Sequence, residues 1–187
     1  LQAAGLLDPK AGGPSVFPPQ PPGVWNSAYS SDDWKNDEGS GRWRRGLYTF
    51  TKRTAPYAMS ATFDAPSGEA CTARREASNT PLQALTLLND EVFAEAVRHA
   101  GGRAAAAAGT PRERLERMFR AFLTRPPSPG ESDLLLAFHE RQRGRLLKKE
   151  LDAAVLAGPG EGDPVERAAW ALVARALLNL DEFITRN

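Results

Sequence analysis

The sequence predicts a mainly α-helical protein, in which a small antiparallel four-helix bundle at residues 80–187 follows an irregular half at residues 1–79 with little or no β-structure. Three observations lead to this prediction. One helix-start motif occurs four times after residue 79, and apolar residues in that half recur at spacings of three and four. Eight of the fifteen prolines lie before residue 79, where helical periodicity is absent. We expect the two halves to form one structural unit that belongs to a longer chain.

The repeated motif is a capping box with proline at the first helical position. Its first side chain accepts a hydrogen bond from the free amide of the fourth residue, and the Glu or Gln at that position reaches back. Proline has no amide to leave unsatisfied there. The four copies are Thr80-Pro81-Leu82-Gln83, Thr110-Pro111-Arg112-Glu113, Ser128-Pro129-Gly130-Glu131 and Asp163-Pro164-Val165-Glu166. They predict helices at about 80–101, 110–124, 128–156 and 163–185. We expect Gly101-Gly102 to end the first, and Gly144 leaves open a division of the third.

Apolar residues give each predicted helix a core-facing stripe. The stripes are Leu82, Leu85, Leu88, Val92, Phe93 and Ala96; Leu115, Phe119 and Phe122; Leu135, Phe138, Leu147, Leu151 and Val155; and Val165, Ala169, Leu172, Val173, Ala176, Leu177, Leu180 and Phe183. Asn89 falls inside the first stripe. Because a buried amide without partners costs about 1–3 kcal/mol, Asn89 is predicted to bind backbone groups of the irregular half.

Composition excludes some classes of partner. The 24 Lys and Arg residues nearly balance the 23 Asp and Glu residues, which leaves a formal charge of +1 and no basic excess for nucleic acid. We therefore expect no nucleic-acid partner. The sequence contains no apolar run of 18 residues, so we also expect no membrane span.

A proline-rich segment at residues 12–25 predicts an extended strap, because each proline restricts its own backbone and that of the residue before it. We expect this strap to lie across the helices of the protein, with Val16, Phe17 and Trp25 facing inward. The alternative is that it serves as a ligand for a proline-recognising groove.

The most polar segment of the irregular half, residues 63–75, contains the candidate site. Asp64 and Glu69 could act as paired carboxylates, and Cys71 could act as a nucleophile whose pKa is lowered by Arg74 and Arg75. The structural interpretation is that both arginines pair with both carboxylates and fasten the loop to the first helix. Neither interpretation assigns a catalytic residue or a metal ligand. The candidate polar cluster comprises Arg53, Asp64, Glu69, Cys71, Arg74, Arg75 and Asn89.

Histidines add no motif to this cluster. His99 and His139 stand alone on predicted helices, and each is predicted to be a surface or capping residue. The sequence has neither a haem-attachment motif nor Cys and His residues at metal-binding spacing. We therefore expect no cofactor in this chain.

An ordered series of motifs resembles a known family. The motifs are GGPSVFPPQPPGVW at 12–25, RRGLYTFTKRTAPY at 44–57, TFDAPSGEAC at 62–71, RREASNTPLQALTLLND at 74–90 and ALLNLDEF at 176–183. Together they resemble the C-terminal part of the planctomycete-specific domain of unknown function 1553. The resemblance implies a large exported parent, an extracytoplasmic location at the periplasm or cell surface, and haem c in a cytochrome c-like domain elsewhere in the parent. The family supplies no catalytic residues to transfer.

These observations favour a non-catalytic structural or interaction module at the C-terminus of an exported multidomain protein. Its expected partners are the upstream domains of the same parent chain and polysaccharide, in a haem-containing or polysaccharide-processing assembly. The alternative is an enzyme domain that acts on or binds an anionic glycan through Asp64, Glu69 and the neighbouring arginines Arg53, Arg74 and Arg75.

Overall fold

The computed structural model describes residues 1–25, 34–68, 70–74 and 77–184. The chain divides into two compact units. The irregular unit is Leu7–Thr86, and the helical unit combines Leu1–Leu6 with Leu87–Asn187. The division therefore falls inside a helix rather than at residue 79, and the first six residues belong with the helices.

The mainly α-helical class predicted from the sequence is confirmed. The described ranges contain α1 Ala58–Thr62, α2 Pro81–Asn89, α3 Glu91–Ala106, α4 Pro111–Leu123, α5 Pro129–Leu147, α6 Ala153–Ala157, α7 Pro164–Leu178 and α8 Asp181–Ile184. In the same ranges, β-type pairing is limited to isolated bridges, such as the one between Val16 and Thr49. None of these helices combines the length and hydropathy needed to cross a bilayer.

Helix starts follow the predicted capping chemistry. In three of the four motifs the two side chains satisfy each other's backbone amides, as in a complete capping box. These pairs are Thr80 with Gln83, Thr110 with Glu113 and Ser128 with Glu131. In the fourth, Asp163 accepts from the Val165 amide at 3.0 Å, but the Glu166 carboxylate accepts from the Trp170 indole instead.

The predicted end of the first helix is wrong. Asp90 interrupts it, because the Asp90 carboxylate accepts from the Val92 amide at 2.8 Å and starts a new helix. α3 then continues through Gly101 to Ala106. A Cβ atom at Gly101 would lie 2.5 Å from the Ala171 backbone nitrogen of α7. The glycine is therefore present to let two helices approach closely, and it does not end one.

The third and fourth predicted helices each divide into two. α5 ends at Leu147, and Lys149 follows in the left-handed region with φ of 58°. Asp152 then caps α6 by accepting from the Ala154 amide at 2.9 Å. α7 ends at Leu178, with Asn179 as its C-cap, and the short α8 follows it.

The loop between α6 and α7 is fastened by one buried arginine. The Arg167 guanidinium, on α7, donates to four consecutive carbonyls at 2.7–3.1 Å. These are the carbonyls of Ala157, Gly158, Pro159 and Gly160. Because Arg167 is only 6% exposed, its charge is balanced by carbonyl dipoles in place of water.

α7 is the central helix of the helical unit and packs against α3, α5 and α6. Its fully buried residues are Ala168, Ala169, Trp170, Val173, Ala174 and Leu177. A helix that is buried on several sides needs small residues where neighbours approach, which explains its alanine content. The predicted stripe of α4, Leu115, Phe119 and Phe122, is also buried.

Two predicted stripes have the wrong phase. Leu82 and Leu85 of α2 are 60% and 56% exposed, whereas Gln83 is 1% exposed. Asn89, predicted to be buried, is exposed at the end of α2. On α5 the buried residues are Ser132, His139, Gln142 and Leu146, while the predicted Leu147 is exposed. In both helices a polar residue with specific contacts takes the inward position.

The proline-rich strap packs within the irregular unit. Val16 is paired with Tyr48 and Phe50 by two backbone hydrogen bonds of 2.8 Å. The Phe17 ring stacks on Phe50 at 4.9 Å and meets the edge of Trp34 at 5.1 Å. The predicted burial of Val16 and Trp25 is confirmed, and the strap's ring contacts are made with aromatic side chains of its own unit.

Aromatic side chains also hold the carbonyls of the strap. The Trp34 indole donates to the Pro18 carbonyl at 2.9 Å, and the Tyr57 hydroxyl donates to the Pro19 carbonyl at 3.1 Å. Proline carbonyls in an extended segment have no partner from regular secondary structure. Aromatic side chains of this unit therefore supply the hydrogen bonds for these two carbonyls.

Candidate functional site

Asp64 is the centre of the predicted polar cluster. It follows α1 with φ of 58°, in the left-handed region that Asp tolerates better than most residues. Its carboxylate accepts from the Ser78 amide at 2.8 Å, from the Ser78 hydroxyl at 2.8 Å and from the Gln83 amide at 3.3 Å. The turn after α1 is thereby joined to the segment that precedes α2.

Gln83 completes this network from a buried position. Its side-chain nitrogen is 3.0 Å from the Thr62 carbonyl and 3.1 Å from the Ser78 hydroxyl, and its side-chain oxygen accepts from the Thr80 amide at 3.0 Å. One amide group thus caps α2 and holds the end of α1. The sequence predicts only the capping role of Gln83, and its position in the motif is the signal for that role.

The other predicted residues are placed as follows. Arg53, Cys71 and Arg74 are exposed, and Arg74 makes no ion pair in the described ranges. Glu69 and Arg75 lie outside the described residues, and so do the ion pairs predicted for them. Of the predicted set, the described structure brings Asp64 together with Ser78 and Gln83, two residues outside the predicted cluster.

The Asp64 network has the chemistry of an anchor. An ionised carboxylate is only an acceptor, and here it receives hydrogen bonds from three donors. A glycoside hydrolase needs a second carboxylate at a defined separation from the first. The described neighbours of Asp64 are donors that fix it in place, and the Ser78 hydroxyl is directed at it.

A second polar cluster lies in the helical unit and was missed in the sequence. Its centre is Glu166 of α7, whose carboxylate accepts from the Trp170 indole at 2.9 Å. Arg143 of α5 approaches the other carboxylate oxygen at 3.3 Å, and Arg114 of α4 lies 3.8 Å away. Two helices, α4 and α5, therefore direct arginines to one partly buried carboxylate of α7.

His139 of α5 completes this cluster. It is 2% exposed, and its ring lies 4.2 Å from the Trp170 ring. Its nitrogens are 3.5 Å from Glu140 and 3.8 Å from Glu166, and neither makes a hydrogen bond. The prediction of a surface or capping histidine is wrong. The signal in the sequence was the spacing of seven between Ser132, His139 and Leu146, which places all three on one helical face.

Burial lowers the pKa of His139 below its ordinary value of 6.5. The negative charges of Glu166 and Glu140 oppose this effect, and the positive charge of Arg143 adds to it. Because desolvation is the largest of these influences, the imidazole is neutral at neutral pH. A neutral ring is consistent with its packing on Trp170.

This lowered pKa predicts that acidification destabilises the protein. In the unfolded chain the imidazole takes up a proton near pH 6.5, whereas in the folded protein it does so only at lower pH. The unfolded state therefore binds more protons between the two pKa values, and the free energy of unfolding falls as pH falls through that window. Urea unfolding followed by circular dichroism at a series of pH values measures this slope.

A His139→Phe variant is expected to flatten the slope, because phenylalanine keeps the ring and removes the titrating group. A His99→Gln variant is the control: it keeps His139, so the part of the slope that is due to His139 should remain. Glu131 also contributes to the pH dependence, because Arg125 lowers its pKa to about 2. The stabilising effect of the Glu131 carboxylate is lost only as the pH falls below its ordinary pKa of 4.5. Equal slopes in wild type and His139→Phe above that pH would show that the assignment to His139 is incorrect.

The two units and their polar clusters define a mainly α-helical module whose buried polar side chains bind its own backbone and one another. A family model described as PSD1, protein of unknown function (DUF1553), matches residues 1–139. The chain belongs to this family, which confirms the resemblance inferred from the motifs. No curated protein and no solved structure matches the chain.

Proposed function

We propose that this chain is a non-catalytic structural and interaction module. The observation that supports it most directly is the use of Asp64, the residue best suited to acid or base chemistry in the candidate cluster. Its carboxylate is occupied by Ser78 and Gln83. A group held by three donors of its own chain contributes to stability, and it has little capacity left for a substrate.

Arg44 supports the same proposal from the basic and aromatic segment. Its guanidinium is 7% exposed and donates to the Lys10 carbonyl at 3.0 Å and the Gly12 carbonyl at 2.6 Å. It also lies 3.8 Å above the Tyr48 ring. A segment whose composition resembles an anion-binding surface thus directs this arginine at its own backbone.

Substitution of Asp64 by asparagine tests the structural role. Asparagine tolerates the same backbone conformation, but it has an NH2 donor in place of one of the two carboxylate oxygens that accept hydrogen bonds. We expect the free energy of unfolding to fall by about 1–3 kcal/mol. Urea unfolding monitored by tryptophan fluorescence measures this, since Trp25 and Trp34 lie in the same unit. Arg74→Ala, at an exposed position, is the control and should change stability by less than about 0.5 kcal/mol.

The wild type and the Asp64→Asn variant also test the enzymatic alternative. Wild-type protein incubated with sulfated and carboxylated polysaccharides should release no new reducing ends. Release by the wild type that disappears in folded Asp64→Asn would overturn the non-catalytic proposal, whatever the stability measurement gives.

The setting that we propose is an exported, multidomain parent in which this chain contacts the upstream domains and the assembly handles polysaccharide. The resemblance described from the motifs supports this setting, together with haem c held elsewhere in the parent. An absorbance spectrum of the purified full-length parent tests the haem, and co-sedimentation of that parent with polysaccharide tests the partner. A parent without haem absorption would remove the redox part of the proposal.

A further inference from the structure

A cleft in the helical unit combines apolar walls with three arginines. It has a volume of about 120 Å³ and lies between the N-terminal segment, α3 and α4. Apolar lining comes from residues such as Ala104, Met118 and Phe122, and cations come from Arg103, Arg114 and Arg117. The lining contains no carboxylate. This combination fits a ligand with one negative group and a small apolar body.

Two of the arginines have unused hydrogen-bonding capacity. Within the described ranges, Arg103 and Arg114 donate no hydrogen bond, and the Nε atom of Arg114 is buried without a partner. The nearest carboxylate to Arg114 belongs to Glu166 at 3.8 Å, beyond hydrogen-bond distance. That carboxylate is already bound by the indole of Trp170 and paired with Arg143. A buried donor with no acceptor costs free energy that a bound anion would recover.

The third arginine of the cleft is Arg117, and the carboxylate of Glu113 lies near it. Arg117 donates to the Ala108 carbonyl. Glu113, which lies near Arg117, has its carboxylate bound to the Thr110 amide at 2.7 Å and the Thr110 hydroxyl at 3.1 Å. That carboxylate caps the start of α4, and the positive charge of Arg117 also helps to lower its pKa. The three arginines of the cleft outnumber these two carboxylates, Glu113 and Glu166, so a positive charge remains.

We propose that this cleft binds a small organic anion, namely a carboxylate with a short alkyl body. The volume favours a small ligand, because about 120 Å³ is below the roughly 300 Å³ of pockets for drug-sized ligands. The three arginines favour a carboxylate as the charged group of the ligand, because a carboxylate accepts from guanidinium donors with favourable geometry. Butyrate, with one carboxylate and a three-carbon chain, is the probe that fits both.

Titration of the ¹⁵N-labelled full chain with sodium butyrate tests the proposal. We expect saturable shifts of the Ala104, Met118 and Ala121 amides, with roughly millimolar affinity for so small a ligand. Butyramide has the same size and shape without the charge, and it should produce no saturable shift. Sodium chloride at the same ionic strength serves as the salt control.

Arginine variants locate the site. Arg103→Gln and Arg114→Gln should each weaken butyrate binding by about tenfold, the effect of losing one charge-assisted hydrogen bond. Arg120→Gln is the matched control, since Arg120 is an exposed arginine of α4 that pairs with Glu116 and does not line the cleft. This control should bind butyrate as the wild type does.

A variant that fills the cleft provides an independent test. Ala121→Leu adds apolar volume at the lining and leaves every arginine in place, so it should abolish the saturable shifts. Circular dichroism confirms that each variant is folded. The proposal is overturned if butyrate causes no saturable shift, if butyramide causes the same one, or if folded Arg103→Gln and Ala121→Leu bind as the wild type does.

Discussion

Replacing Arg167 with alanine is expected to lower the free energy of unfolding by about 3 kcal/mol or more. The guanidinium satisfies four consecutive carbonyls between Ala157 and Gly160. Within the described ranges no other side chain donates to those oxygens, and the carbonyl of the fully buried Ala157 would lose this donor in the alanine variant. Because typical domains are stable by only 5–15 kcal/mol, urea unfolding followed by circular dichroism should show a large decrease.

Two further variants separate geometry from charge in this effect. Arg167→Lys keeps the positive charge but presents a compact ammonium that cannot span four carbonyls, so most of the loss should remain. Arg120→Ala removes an exposed arginine paired with Glu116 and should cost less than about 1 kcal/mol. Recovery of wild-type stability by the lysine variant would show that charge alone matters and that the planar fork does not.

The second large effect is expected at Gly101, where alanine should destabilise the protein by about 1–3 kcal/mol. A methyl group there would lie 2.5 Å from the nitrogen and 2.7 Å from the Cα of Ala171, and 2.7 Å from the Arg167 carbonyl. All three atoms belong to the backbone of α7, which cannot move aside as a side chain would. Relief of the clash requires α3 and α7 to separate along their contact.

The adjacent glycine is the matched control. At Gly102 the nearest neighbour of an added methyl group is the Arg167 Nε atom at 3.8 Å, an ordinary contact distance. Since alanine is favoured over glycine inside a helix by about 0.8–1.0 kcal/mol, Gly102→Ala should stabilise the protein. Thermal unfolding should shift in opposite directions for the two variants. A shift in the same direction would mean that helix propensity, and not the contact with α7, decides at Gly101.

These two glycines show what the sequence could not reveal. A glycine pair at the end of an apolar stripe is typical of a helix terminus, and the structure uses one glycine for close packing instead. Helix starts could be predicted because the interacting groups are three residues apart, as in Ser128 and Glu131. The role of Gly101 depends on its contact with Ala171 of α7, which lies seventy residues later in the chain.

The polar clusters also depend on contacts between residues that are far apart in sequence. Asp64 lies in the polar segment singled out from the sequence, but its partner Gln83 lies among leucines, a context that favours an exposed position for it. His139 lies between Phe138 and the charged Glu140 in sequence, and its burial depends on Trp170 of another helix. Burial of a polar residue follows from partners brought in by the fold, and hydrophobic periodicity contains no information about them.

The discontinuity of the helical unit has a consequence for folding during synthesis. Leu1–Leu6 belongs with Leu87–Asn187, and the Ala4 carbonyl contacts the His99 ring across 95 positions. Residues 1–6 therefore leave the ribosome long before their partners in α3 exist, while Leu7–Thr86 is complete earlier. Contacts of such high sequence separation form late and slowly. The irregular unit is expected to acquire structure on the ribosome first, and the N-terminal segment must wait for α3 to emerge.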